Sequence, residues 1–161
     1  MYISAEEYAL LYGEIDPGLF QRLEFAARRE IDRHTTGIDG VNKLRMYFPA
    51  DEYSAEAVRN CAAEIVYFLS QIHEAEQSAS MGRGYEVSES GMHGKIVSSV
   101  TSGTESVTYT DVQHRKSAAD AAASDPAIRK KIIRDKIRSS LDGVTDANGV
   151  NLLYMGVYPY V

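Results

Sequence analysis

Apolar residues recur at helical spacing in three stretches of the chain. The longest stripe is Val58, Cys61, Ala62, Ile65, Phe68, Leu69 and Ile72. Its steps of three and one place all seven on a single helix face turned to a core. Five of them are large, and burying each is worth ~1.5–3 kcal/mol, so the stripe contributes on the order of 10 kcal/mol gross. Leu19, Phe20, Leu23, Ala26, Ala27 and Ile31 form a second stripe. Ile128, Ile132, Ile133, Ile137 and Leu141 form a third. Local signals set the ends of these elements. Ser4-Ala-Glu-Glu7 has the capping-box pattern and predicts a short helix to about Tyr12, closed by Gly13. Asp16-Pro17 opens the second helix, which Thr35-Thr36-Gly37 closes. Residues 38–53 read as irregular, with turn chemistry at Asn42, Phe48-Pro49 and Asp51, and Ser54 as the cap of the third helix. Asp125-Pro126 opens the fourth, and Gly143 stops it.

Helical periodicity stops after about Gln77, and Ser78 to Gly94, rich in Ser and Gly, predicts a mobile loop. The spacing then changes to two. Ile96–Thr101 and Thr104–Tyr109 flank Ser102-Gly103, and a two-residue loop would pair Ile96 with Tyr109. That hairpin would put Ile96, Val100, Val107 and Tyr109 on one face, which needs a helix or another chain to lie on. Ser117 to Ser124 is Ala-rich and reads as helix or linker. The fold expected is mainly α: a bundle of about four helices with a β-hairpin or long loop between the third and fourth. It forms a single domain over 1–161, with a helical core at 4–77 and 117–142, a loop and hairpin at 78–116 and a tail at 143–161. No long internal repeat is evident.

Composition changes this picture little. Hydrophobic residues at 44% and charged residues at 25% are ordinary for a globular chain of 161 residues. The net charge of −6 argues against an overall nucleic-acid or anionic-membrane binder, although an acidic mean can still hide a basic patch. A single Cys excludes an intramolecular disulfide framework and a Cys-rich zinc site. The start, MYISAEEYALLYGE, lacks the pattern of a secretory signal, and Ile65–Leu69 is far too short to span a membrane.

The search for chemistry finds no assembled active site, and no metal or cofactor is expected. His34, His73, His93 and His114 form no ligand pair. Cys61 and His73 are twelve residues apart on one helix, which is about 18 Å and about 120° around the axis, too far for a nucleophile and its base. Cys61 reads as a core thiol, and His34 as a residue favoured by a helix C-terminus. Gly82-Arg-Gly84 matches neither phosphate-loop nor dinucleotide patterns. Two surfaces stand out. Lys130, Arg134 and Arg138 fall on one face of the fourth helix at steps of four, either as a solvated face or as a contact for DNA phosphates or an acidic partner. The tail carries Leu152, Leu153, Tyr154, Val157, Tyr158 and Tyr160, too apolar to stay free, so it folds back on the core or enters a partner.

Tyr2 and Tyr8, Phe20-x-x-Leu23-x-x-Ala26, Ile31-Asp32 and Thr35 resemble the opening of head-tail connector adaptor proteins of long-tailed double-stranded DNA bacteriophages and prophages. Ser88-Glu89-Ser90-Gly91, Ser106-Val107-Thr108-Tyr109 and Leu152-Leu-Tyr-Met-Gly-Val157 follow in the order of that family's segments. Met155 stands where the family commonly has Arg, and the segment 86–105 is longer than its pattern. The resemblance implies a structural, non-enzymatic protein of virion assembly. It implies a homo-oligomeric ring in the virion neck between portal and tail-side connector proteins, with DNA passing through, assembled in the bacterial cytoplasm without a membrane. Val100, Val107, Tyr109, Leu152, Leu153, Tyr154, Val157 and Tyr158 are then the candidate subunit or portal interface. The alternative is a small DNA-binding or regulatory protein using the basic fourth helix.

Overall fold

Helix boundaries follow capping chemistry closely. In the computed structural model, which describes residues 1–81, 84–88, 91–95, 99–102, 105–108 and 117–160, the chain is mainly α-helical. In α1 (Ala5–Tyr12), Ser4 and Glu7 form the reciprocal capping box, and Gly13 ends the helix at a φ of 92° that favours glycine. In α2 (Pro17–Thr35), the Asp16 carboxylate accepts from the Leu19 amide at 2.8 Å. The stretch 38–53, read from sequence as irregular, contains a short helix, α3 (Lys43–Met46), capped by Asn42. The next helix, α4 (Glu52–Met81), is not capped by Ser54. Asp51 caps it, accepting from the Ser54 amide at 2.8 Å, because Ser54 already sits in the first turn. This helix also runs past Gln77, since no Gly or Pro interrupts the chain before Gly82. Ser117–Ser124 resolves as helix, α5 (Ala118–Ser124), with its own capping box from Ser117 and Asp120. Asp125 then caps α6 (Pro126–Ser140).

Between α4 and α5 the backbone pairs antiparallel in β1 (Gly84–Ser88) with β2 (Gly91–Lys95) and in β3 (Ser99–Ser102) with β4 (Glu105–Thr108). The expected register is not the one found. Val100 pairs with Val107 and Ser102 with Glu105, so Ser102 belongs to a strand and not to the connection. Ile96 and Tyr109 lie outside the described residues.

The spine of the bundle is α4, which touches α1, α2, α5 and α6. Val58, Cys61, Ala62, Ile65, Phe68 and Ile72 are buried on it, as the stripe predicts. Phe20, Ala27 and Ile31 of α2 and Ile133, Ile137 and Leu141 from the α6 region close over it. Two ion pairs, Lys136–Glu64 and Arg129–Glu76, each at 2.6 Å, fix α6 antiparallel to α4. Among the described residues no helix is long and apolar enough to cross a membrane.

The structure also reveals a short repeat. Thr36-Gly-Ile-Asp-Gly-Val-Asn42 and Thr145-Asp-Ala-Asn-Gly-Val-Asn151 both follow a long helix. In each, the Thr bridges the Asn across a tight turn. The turns share their hydrogen bonds: Gly37 N to Val41 O and Gly40 N to Gly37 O in the first, Asp146 N to Val150 O and Gly149 N to Asp146 O in the second. Gly40 and Gly149 sit at φ of 81° and 78°, where a side chain would be strained. The two turns then exchange bonds with each other's downstream segments. Ile38 N donates to Met155 O and Ala147 N to Tyr47 O, an approximate two-fold arrangement at one end of the bundle.

Candidate functional site

The tail segment folds back and is strapped into that end of the bundle. Lys43 holds it. This lysine is fully buried, and its Nζ donates to the carbonyls of Thr35 at 3.0 Å, Leu152 at 3.3 Å and Tyr154. Burial pulls its pKa below the ordinary lysine value, while Asp146 and Asp39 oppose the shift. Asp39 makes a second clasp: one carboxylate oxygen accepts from the Tyr158 amide at 2.6 Å and the other from the Val41 amide at 3.0 Å. These backbone donors hold its carboxyl below the usual range. Tyr158 makes a third. Its ring stacks on Tyr47 with centroids 4.8 Å apart, and its hydroxyl donates to the buried Asp146 and accepts from Asn148. Burial and the Asp146 carboxylate push the Tyr158 phenol up to about 12. Finally, Gly37 approaches the strap so closely that a Cβ there would lie 2.8 Å from the Gly156 carbonyl oxygen.

This geometry divides the tail residues singled out from the sequence. Leu152 and Tyr158 are core anchors and cannot form an outer interface, and Leu153 is half-buried. Tyr154 and Val157 face outward, joined by Met155 and Tyr160. Ile38 and Met46, from the first turn and α3, are exposed at the same end, Ile38 through its backbone bond to Met155. Lys43, Asp39 and Asp146, which hold the assembly, gave no motif signal. Only the paired Gly-Val-Asn triplets could have flagged them.

The basic residues of α6 also divide. Arg129 and Lys136 turn inward to Glu76 and Glu64, the latter pair packed beside the Phe68 ring. Lys130, Arg134 and Arg138 remain exposed, and Arg134 pairs with its neighbour Asp135 at 3.4 Å. Sequence could not show what lies beside them. α6 packs on α2, and His34 sits close enough to Arg138, Arg33 and Arg134 that they join burial in lowering its pKa, against Glu30.

Cys61 is a core thiol whose pKa burial pushes up to about 12, so it is not a ready nucleophile. His73 bonds Gln77 at 2.9 Å. Among the described residues no group of three or more His, Cys, Asp or Glu could hold a metal ion. Val100 and Val107 face each other in the backbone pairing, and Tyr109 lies outside the described residues. No family model, curated protein or solved structure matches the chain.

Proposed function

We propose that this chain is a structural adaptor of virion assembly, similar to phage head-tail connector adaptors, and that it acts by contact rather than by chemistry. The observation that carries this reading is the strapped tail. Its inner side chains are spent on anchoring, and its outer ones form an apolar edge of Tyr154, Met155, Val157 and Tyr160 beside Ile38 and Met46. Exposed apolar surface of this kind marks an interaction site. The ordered resemblance across the chain supplies the class of partner: neighbouring copies in a closed, heterologous ring, and a portal and a tail-side connector above and below it. In this reading Val100, Val107 and Tyr109 belong to the contact with the next copy.

The test separates the edge from its anchors. Tyr154→Ser combined with Val157→Asp changes only outward side chains, so the protein should keep its circular dichroism and melting behaviour. Negative-stain microscopy should then show loss of rings and of binding to portal particles. A folded variant that still assembles and joins the portal would remove the edge from the proposal.

A further inference from the structure

The seam between α2 and α6 is the second surface the fold builds, and the adaptor reading does not use it. Lys130, Arg134 and Arg138 run along its α6 side. Steps of four residues set them about 6 Å apart, and the row extends about 12 Å. Arg33 is exposed on α2, which packs on α6, and the half-buried His34 beside it feels the charges of Arg134 and Arg138. Among the described residues, Glu30 pairs with Arg33 at 3.4 Å, Asp135 pairs with Arg134 at 3.4 Å, and the exposed Asp142 follows Arg138 by four residues. Three cations therefore lie along one face of α6, with Arg33 on the helix packed beside it, on a chain whose net charge is −6.

We propose that this seam binds the phosphate backbone of duplex DNA, without reading its sequence. Three observations favour a nucleic acid over an acidic protein surface. The row is linear and regular, with steps of about 6 Å along one helix face, so that each cation can meet one phosphate of a strand. Three of the four cations are arginines, whose forked donors fit phosphate oxygens. Among the described residues the α6 row itself carries no exposed aromatic or aliphatic anchor of the kind that centres a protein interface, and the exposed Phe25 on α2 lies under the Arg28 and Arg29 guanidinium groups. Ile128, exposed on α6, lies about 160° around the helix from Lys130. The exposed apolar edge is instead on the strap, so the two surfaces are separate and their tests are independent.

The experiment is fluorescence anisotropy of the full chain with a short labelled duplex of mixed sequence. Binding should appear at about 50 mM salt and weaken steeply by about 200 mM, with a log–log slope of about −3.6 for four neutralised phosphates. A second duplex of unrelated sequence should bind equally. Reversal of the row by Lys130→Glu, Arg134→Glu and Arg138→Glu should abolish binding. Arg33→Ala alone should flatten the slope by about 0.9. Absence of binding at low salt would overturn the proposal. So would salt-dependent self-association in sedimentation, lost in the reversed variant and unaccompanied by duplex binding, which would assign the seam to an acidic protein surface. An unchanged slope for Arg33→Ala would overturn the two-helix seam and leave α6 alone.

Discussion

Lys43 shows how one side chain can decide the state of a distant segment. Its ammonium satisfies three carbonyls drawn from the end of α2 and from the tail. Lys43→Met keeps the apolar stem but leaves those acceptors buried without a donor, at a cost of roughly 1–3 kcal/mol for each one left unpaired. The urea midpoint should fall accordingly, and proteolysis should begin in the tail. Tyr158 makes the pH dependence specific. Its folded pKa of about 12 lies above the ordinary value of 10.0, so its contribution is complete below pH 10 and is lost as pH rises toward 12. Cys61, raised from 9.0 to about 12, acts in the same direction, as does Tyr2, which is raised by burial and Asp32. Lys43 acts in the opposite sense, because its depressed pKa lets the unfolded chain hold more protons below the ordinary lysine value. Tyr8 and Tyr12 are raised by burial as well, so the raised groups outnumber Lys43, melting temperature should decline between pH 10 and 12, and Tyr158→Phe should lessen that decline. A flat profile over that range would contradict the assignment.

At the scale of elements, the helices were legible because their causes are local. Ser4, Asp16, Ser117 and Asp125 each cap within three residues of themselves, and the α4 stripe needs only its own spacing. Errors arose where two local signals competed. Asp51 and Ser54 both suit a cap, and the carboxylate one turn earlier takes the role. The candidate site was legible only in part. Leu152 and Tyr158 look as apolar as Tyr154 and Val157 in sequence, and what separates them is which side of the strap meets the core. Nothing local encodes that, because the partners are Lys43 and Asp39, more than a hundred residues away. The same limit hid the repeated turn, whose halves are too short to register as a repeat until they are seen bonded to each other. Gly37→Ala tests the closeness of that docking. The added methyl meets the Gly156 carbonyl, so the strap should loosen and faster amide exchange should appear at Ile38 and Tyr158 while α4 stays protected.

For the molecule as a whole, the tail is part of the fold and not an appendage. Sequence left two fates open for the tail, folding back on the core or entering a partner, and only the second would let residues 150–161 be removed from an intact helical protein. The burial of Leu152 and Tyr158 selects the first. Truncation at 150 should lower stability by several kcal/mol, with losses of about 2–5 kcal/mol at the Leu152 site alone, read as a large drop in melting temperature. Assembly defects of such a truncation would therefore say nothing about contacts, which is why the outward substitutions are the sharper test. The acidic average is equally uninformative about the α2–α6 seam, since charge sorted by helix packing is invisible to a sum over the chain.

Lys43 and its acceptor Leu152 are 109 residues apart. At ribosomal speeds of about 5–20 residues per second, roughly 5–20 s pass between the appearance of the two. Throughout that interval the first turn has no partner, and the lysine stays hydrated. Closure of this end of the bundle is thus a late event in the life of each nascent chain. A chain cut short before the strap emerges stays open there, exposing a site that quality-control proteases can recognise.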